Sequence, residues 1–221
     1  MGTQNADMMN VLHASYNDTL DIASCVLVPQ EVFPGPFAPV SIPIDTAVPA
    51  VGDTIHMVSQ SGMLIDELRE PLDASGEGQT ITVAKRVSIR IGVVTGEYPQ
   101  DLRHYKWPCF TTSIPAEPGM SGGFATLPRE GGTVAACGVV CADTSTPKAH
   151  VDYTECGESI VGCAWPALAL RMPHAIPSTP ETPTYSLYEM MQAGRIDKAV
   201  GGIERIKLLE MENGHCTISR H

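Results

Sequence analysis

The chain has 221 residues, enough to bury a sizeable core in one or two domains, and its formal net charge is −11. This charge excludes nucleic acid and anionic membrane surfaces as partners, because binding phosphate needs surfaces rich in Lys and Arg. No apolar run approaches the roughly 20 residues of a membrane-spanning helix, and no secretory signal pattern opens the chain, so a cytoplasmic location is favoured.

The composition and the first predicted elements favour a β-rich fold. The 20 glycines and 18 prolines are typical of many short strands joined by turns. Residues 20–29 form a predicted strand that contains Asp21, and a proline-rich connection follows from 29 to 49. The prolines favour an extended, semi-rigid crossing between two parts of the molecule.

Six strand-like runs then occupy the middle of the chain. Gly and Pro turns separate the runs, and six strands are what one complete antiparallel barrel requires. The runs cover residues 53–59, 79–86, 88–98, 109–113, 121–127 with 133–142, and 158–164. Residues 164–172 are predicted to start a closing helix, with Pro166 in its first turn.

The last part of the chain reads as a linker followed by a tail. Residues 173–184 contain four prolines and predict the linker. Ser186 and Glu189 have the spacing of a capping box, which predicts a short helix. An Asn-Gly pair at 213–214 between two β-like runs predicts a hairpin. We expect the tail to pack on the barrel as a solvated appendage.

Residues 117–123, Glu-Pro-Gly-Met-Ser-Gly-Gly, contain the candidate chemistry. The glycines let the backbone adopt positive φ and approach a bound group closely. The amide N–H groups of Gly119 and Ser121 are then able to point at one oxygen, which is the geometry of an oxyanion hole. The hydroxyl of Ser121 is a candidate nucleophile. The alternative interpretation is a glycine-rich turn with an incidental serine.

The same residues satisfy Gly-x-Ser-x-Gly, the nucleophile elbow of α/β-hydrolases. That elbow needs a strand before the serine and a helix after it. Pro115 and Pro118 are incompatible with a central parallel strand, and residues 124–140 read as strand, turn and strand. The hydrolase elbow is therefore rejected.

The serine loop and the N-terminal segment together resemble the trypsin/chymotrypsin superfamily of serine proteases, in its bacterial or viral branches. The loop matches the family's Gly-x-Ser-Gly-Gly motif, and residues 138–140 match its Gly-aliphatic-Val strand. Residues 13–23, HASYNDTLDIA, match the family's His-x-x-Tyr-Asn…Asp-Ile-Ala segment, which carries the triad aspartate. The resemblance covers roughly residues 10–170.

This resemblance implies an all-β fold of chymotrypsin-like antiparallel barrels with a short α/β C-terminal tail. Residues 1–49 are then a partial first barrel and the inter-barrel linker. Residues 50–172 form a complete second barrel with the nucleophile loop, and residues 173–221 are a linker and the tail.

The resemblance also implies the function of a serine endopeptidase, which hydrolyses polypeptide substrates through an acyl-enzyme and uses no cofactor. Ser121 is then the nucleophile and Asp21 the carboxylate that orients a catalytic histidine. The amides of Gly119 and Ser121 form the oxyanion hole. Pro115 takes the place of the residue at the base of the specificity pocket, so a trypsin-like preference for Lys or Arg is not expected. The strand that binds the extended peptide matches Cys141, Ala142 and Asp143.

No histidine occupies the family's position for the catalytic base. In the family this histidine precedes the aspartate by at least one further strand pair, whereas His13 lies only eight positions before Asp21. His13 therefore matches a non-catalytic histidine. We favour the explanation that the catalytic histidine lies upstream of Met1. The alternatives are an inactive peptide-binding module and a self-processing element whose own tail is the substrate.

The cysteines indicate neither a disulfide framework nor a metal site. Their number, seven, is odd, and none of them has Cys-x-x-Cys spacing. No cluster of Cys and His has the ligand spacing of zinc, so no metal is expected. Small buried thiols in a β-core are the favoured interpretation.

Overall fold

The computed structural model describes residues 9–17, 20–29, 42–67, 81–100, 102, 105, 107–117, 119–132, 134–143, 157–173, 182–210 and 216–221. Within these ranges the fold is all-β, as predicted: twelve strands accompany one α-helix and three short 3₁₀ helices. No helix in the described ranges is long and apolar enough to cross a bilayer.

The N-terminal part of the described chain is an antiparallel pair of strands. Strand β1 covers Met9–Asn17 and strand β2 covers Leu20–Pro29. The predicted strand at 20–29 is thus confirmed at both ends. Ile22 of β2 is buried, and packs in a cluster with residues from the barrel exterior and from the segment that follows the barrel.

Six further strands close into one antiparallel barrel. They are β3 (Thr54–Glu67), β4 (Ile81–Tyr98), β5 (Cys109–Pro115), β6 (Phe124–Thr126), β7 (Ala136–Asp143) and β8 (Glu158–Cys163). Their order around the barrel is β3-β4-β5-β8-β7-β6, and β6 pairs with β3 to complete it. Because β6 returns to lie beside β3 after three successive strands, the connectivity is a Greek key.

The predicted barrel of six strands is confirmed, with one correction to the runs. Residues 79–86 and 88–98 were expected as two strands, but β4 is one continuous strand. No Gly or Pro stands between residues 84 and 91, so nothing in the backbone breaks the ladder there. The run at 121–127 with 133–142 forms β6 and β7, in agreement with the predicted strand, turn and strand.

The prediction that residues 164–172 start a closing helix is wrong after Ala169. Trp165–Ala169 form a 3₁₀ helix with Pro166 at its start, and Leu170 then adopts an extended backbone. Strand β9 (Arg171–Pro173) follows and pairs with strand β10 (Thr184–Ser186). Residues 174–181 of the predicted linker lie outside the described residues.

The predicted elements of the tail are confirmed. Helix α1 (Leu187–Gln192) begins with the capping box: the Glu189 amide donates to the Ser186 hydroxyl at 3.1 Å, and the Ser186 amide donates to the Glu189 carboxylate at 2.7 Å. Strands β11 (Ile206–Glu210) and β12 (Cys216–Arg220) form the predicted hairpin. The Asn-Gly pair at 213–214 lies outside the described residues.

The tail packs on the barrel, as expected, but it also completes the core. Ile206 is 3% exposed and belongs to the same buried cluster as the barrel interior. Val200 forms a β-bridge with Asp45, a fully buried residue that precedes β3. The carboxylate of Asp45 accepts from the guanidinium of Arg129 at 2.5 Å and from the amide of Ala47 at 2.9 Å. A buried carboxylate is thus fully paired where the tail joins the barrel.

Three cysteines of the described chain, Cys109, Cys137 and Cys163, are buried. Burial raises the pKa of Cys137 to about 12 and also raises the pKa of Cys163. Such thiols are inert packing groups rather than nucleophiles or ligands. No group of three His, Cys, Asp or Glu side chains in the described ranges is arranged to hold a metal ion.

Candidate functional site

Ser121 lies on the connection between β5 and β6, at one end of the barrel. These two strands are not neighbours, because β8 and β7 stand between them in the barrel order. The connection must therefore cross the barrel end outside the hydrogen-bonded ladder. Backbone groups of this connection that are not paired with a strand can then bond to a bound molecule.

The loop is anchored on both sides of the serine. The Met120 side chain is 1% exposed and packs in the barrel core. The Gly122 amide donates to the Val140 carbonyl at 2.9 Å, and the Val140 amide donates to the Gly123 carbonyl at 2.8 Å. Gly119 and Gly122 have φ of +89° and +82°, a backbone conformation that residues other than glycine rarely adopt. The chain thus turns sharply around Ser121.

The turn leaves the Ser121 hydroxyl exposed to solvent. Its Oγ donates a hydrogen bond to the carbonyl oxygen of Cys141 at 3.3 Å. In the described part of the chain, neither the Gly119 amide nor the Ser121 amide donates to another residue. Both donors of the predicted oxyanion hole are therefore available to an external acceptor.

Two cavities meet at Ser121 and Gly122. One has a volume of about 430 Å³ and lies toward β3, β4 and β6; its other lining residues are Val58, Ser59, Gln60, Val87, Gly119, Gly123 and Phe124. The second has a volume of about 340 Å³ and lies between β2 and β7; its other lining residues are Ile22, Ala23, Val139, Val140 and Cys141. Both volumes fall in the lower range of ligand pockets, which is about 300–1,000 Å³.

Strand β2 brings the predicted Asp21 segment to this site. Ile22 and Ala23, the next two residues, line the second cavity together with Ser121. In the pairing with β1, Tyr16 is opposite Ala23 and Asn17 is opposite Leu20, so Asp21 and Ile22 fall in a bulge. Bulges are frequent beside active sites, where they change the direction of a side chain. The side chain of Asp21 itself lies outside the described residues.

Of the predicted substrate-binding residues, Cys141 lines a cavity at Ser121 and Pro115 does not. Cys141 lines the second cavity and falls in an irregularity of the β7–β8 pairing, between Val140 and Ala142. Ala142 and Asp143 continue β7, but their side chains lie outside the described residues. Pro115 ends β5, is exposed, and does not appear among the lining residues of either cavity.

The sequence did not predict that residues of β3 and β4 line the first cavity. Val58, Gln60 and Val87 carry no motif, and only the closure of β6 onto β3 brings them beside Ser121. Val87 also begins a row of exposed apolar side chains that alternate along β4. The exposed fractions are 67% for Val87, 70% for Ile89, 68% for Ile91 and 42% for Val93.

An ion pair holds the start of the serine loop. Arg90 of β4 donates to the carboxylate of Glu117 at 2.5 Å. This hydrogen bond to Arg90 holds the pKa of Glu117 below its usual value. Glu117 is partly exposed, so the pair positions the loop more than it stabilises the fold.

Within the described ranges, no histidine lines either cavity. His13 is in β1, opposite Val26, and His56 is in β3, between Ile91 and Thr126. The described residues therefore offer the Ser121 hydroxyl a backbone carbonyl as acceptor, but no side-chain base.

Comparisons of the chain with protein-family models, with curated proteins and with solved structures found no match. The six-stranded antiparallel barrel is compatible with a chymotrypsin-like barrel.

Proposed function

We propose that this protein is a serine endopeptidase of chymotrypsin-like architecture, with Ser121 as its nucleophile. The observation that carries the proposal is the arrangement around one hydroxyl. Ser121 is exposed where two cavities meet, and the amides of Gly119 and Ser121 are unbonded beside it within the described chain. This combination is what acyl transfer requires of a nucleophile and its oxyanion hole.

In the proposed reaction, Oγ of Ser121 attacks the scissile carbonyl carbon while its proton passes to a base. The carbonyl oxygen becomes an oxyanion, which accepts hydrogen bonds from the amides of Gly119 and Ser121. Loss of one such donor typically costs a factor of about 10²–10³ in rate. The amine then leaves with the proton, and water hydrolyses the acyl-enzyme in the same manner.

Asp21 is the proposed orienting carboxylate, because its two successors on β2 line the cavity that holds Ser121. Cys141 is the proposed start of the peptide-binding strand, which continues through Ala142 and Asp143. No base is found beside Ser121 among the described residues; a histidine in this role would make the activity depend on a group that titrates near neutral pH.

Labelling with a fluorophosphonate tests this proposal directly. The probe forms a covalent bond only to an activated serine, so we expect one adduct per chain by intact mass, located on Ser121. Ser121→Ala should abolish the adduct. Ser113→Ala is the matched control, because Ser113 is also exposed but its hydroxyl accepts from the Val93 amide at 3.0 Å. Absence of any adduct on the wild-type chain would reject an activated Ser121.

A peptide-binding module without hydrolysis is the second candidate. Two observations favour it: Ser121 donates to a backbone carbonyl rather than to a base, and the apolar row on β4 begins at the first cavity. For this candidate, peptides with alternate apolar side chains bind to the wild-type chain and equally to Ser121→Ala, while the fluorophosphonate gives no adduct.

The self-processing alternative has less support. Release of the tail would remove Ile206 from the barrel core and Val200 from its bridge with Asp45. Burying a side chain of this size contributes about 1.5–3 kcal/mol, so cleavage near residue 173 is expected to destabilise the barrel.

A further inference from the structure

The side-chain pattern of β4 between residues 87 and 93 is the reverse of the pattern expected for a barrel strand. The face toward the barrel carries Ser88 and Arg90, whereas the outward face carries four apolar side chains that are between 42% and 70% exposed. These four, the apolar row on β4, are Val87, Ile89, Ile91 and Val93. A strand with one face on a core normally has its apolar residues on that face and polar residues toward solvent. The outward face of β4 therefore has the composition of a face that becomes buried.

The register of β4 is fixed, so the row cannot exchange places with the inner face. Val94, the next residue, is 1% exposed and packs in the barrel core, and a slip of one residue would bring it to the surface. The polar residues of the inner face also have partners. Arg90 pairs with Glu117, and the Ser88 hydroxyl donates to the Ser59 carbonyl oxygen at 3.4 Å. The fold itself thus directs the row outward.

The neighbouring strands extend this outward face without adding charge. The residues opposite the row on β3 are Gln60, Val58, His56 and Thr54. The exposed residues of β5 are Ser113 and Pro115. None of these side chains carries a formal charge at pH 7, and the uncharged stretch of β4 ends at Glu97, four positions after Val93 on the same face. A chain with a net charge of −11 thus presents a three-stranded face without an acidic group.

The occupant of this face must satisfy its own backbone hydrogen bonds. The N–H and C=O groups of a sheet lie in the plane of its ladders, so the face offers only side chains to a partner. Unbonded amides are available at Gly119 and Ser121, beside Val87, but not along the rest of the row. An extended peptide laid over Ile89 and Ile91 would therefore leave its own backbone groups unpaired against apolar side chains, which is unfavourable. A sheet face, whose ladders bond its backbone internally, avoids this cost.

A second copy of this chain supplies such a face. Two sheets pack about 10 Å apart with interdigitating side chains, and the second copy brings an equal row at the same spacing. The face has no charge by which a different protein would recognise it. Two chains with a net charge of −11 repel each other, so they can associate closely only through a face that lacks acidic groups. A two-fold arrangement with antiparallel rows also keeps the two Glu97 carboxylates apart.

We infer that the chain forms a homodimer in which the apolar rows on β4 of two copies pack face to face. The face has ten outward residues, fewer than the roughly 20–30 per side of a standard interface, so the dimer is reversible. The row consists of Val and Ile, whose stiff side chains have little conformational freedom to lose. We expect a dissociation constant of about 10–500 μM, because larger interfaces already reach only the micromolar range when they lack strong anchors.

Sedimentation equilibrium of the full chain, from about 5 to 500 μM, tests the inference. The apparent mass of the wild-type chain should rise with concentration from one chain toward two. Ile89→Glu should weaken dimerisation at least about 100-fold, because each copy would then bury an unpaired carboxylate. Since Ile89 is 70% exposed in the single chain, the substitution should leave its urea unfolding unchanged.

Three variants serve as controls. Leu209→Glu adds the same charge at a residue of β11 that is 51% exposed, and it should dimerise like the wild-type chain. Ile89→Lys lowers the net negative charge, so it would strengthen an association governed by overall repulsion, but it should weaken the packing of the rows as Ile89→Glu does. Ser121→Ala should dimerise like the wild-type chain, which keeps this result separate from the fluorophosphonate experiment. If a charged variant does not fold, Ile89→Thr replaces it and should weaken dimerisation at least about tenfold.

Three results would overturn the inference. The first is a wild-type chain that stays a monomer throughout the concentration range. The second is a dimer that neither Ile89→Glu nor Ile89→Lys weakens, since another face would then hold it together. The third is a loss of unfolding free energy in monomeric Ile89→Glu but not in Leu209→Glu, which would mean that the chain covers the row itself.

Discussion

Replacement of Gly201 by alanine tests whether the tail is fastened into the barrel. Gly201 follows Val200, whose amide donates to the Ile44 carbonyl at 2.9 Å and whose carbonyl accepts from the Thr46 amide at 2.8 Å. A Cβ at Gly201 would overlap Oδ1 of Asp45 and lie 2.9 Å from Nη2 of Arg129. The substitution therefore acts directly on the buried ion pair between Asp45 and Arg129.

The expected cost has two parts. Gly201 has φ of +81°, and a left-handed backbone costs a residue with a Cβ about 1–2 kcal/mol. Breaking a buried ion pair costs about 3–5 kcal/mol, and the lower end applies because 32% of the Arg129 side chain is exposed. The sum is about 4–5 kcal/mol, a large part of the 5–15 kcal/mol that stabilises an ordinary domain.

Urea unfolding measures this cost, with Gly194→Ala as the matched control. Gly194 has φ of +69°, but nothing lies within 4 Å of its added Cβ, so only the backbone cost of about 1–2 kcal/mol applies. A double-mutant cycle with Arg129→Met isolates the ion pair. In the Arg129→Met background, Gly201→Ala should cost less than in the wild-type chain, because the ion pair is already lost. It should still cost more than Gly194→Ala, because the overlap with Oδ1 of Asp45, which accepts from the Ala47 amide, remains.

The reasoning is refuted if Gly201→Ala destabilises the wild-type chain no more than Gly194→Ala does. It is also refuted if the costs of Gly201→Ala and Arg129→Met add fully in the double mutant. Either result would mean that the junction between Asp45 and Val200 moves aside without loss of the ion pair.

Two further predictions concern the tail helix and the serine loop. Ser186→Ala should lower the free energy of unfolding by about 1 kcal/mol, because the fully buried Ser186 loses its capping bonds with Glu189. Ser219→Ala, outside the helix, is the control. Equal effects of the two substitutions would contradict the role of the cap. Arg90 lowers the pKa of Glu117 from its ordinary value of 4.5, so the stabilisation is present above that pH and is lost as the pH falls through the lower, folded-state value. The difference in unfolding free energy between the wild-type chain and Glu117→Gln should thus be below about 1 kcal/mol near neutrality and vanish in acid, since the pair is partly exposed. A difference that grows on acidification would contradict this sign.

The local elements were largely predictable from the sequence. Short-range rules located β2 at 20–29, the capping box at Ser186 and the β11–β12 hairpin, because each depends on residues a few positions apart. The turn at Ser121 was predictable for the same reason, since glycines at 119 and 122 supply the positive φ. Strand bounds were harder to predict where no Gly or Pro interrupts the sequence, as the continuous β4 shows.

The composition of the candidate site was only partly predictable. Motifs pointed to Ser121, Gly119 and the segment after Asp21, and the structure brings that segment and Ser121 to one cavity. Val58 and Val87 reach the serine only through the pairing of β6 with β3, a contact between residues far apart in the chain. The roles of these residues in catalysis stay predictions.

The sequence by itself determined an all-β chain with a glycine-framed serine turn, because strand patterns, turns and caps are set by neighbouring residues. Tertiary structure alone decided that β6 closes onto β3, that Ile206 of the tail completes the core, and that Ser121 and Ile22 line one cavity. Such contacts join residues distant in the chain, and their energies depend on burial and pairing that no local pattern encodes.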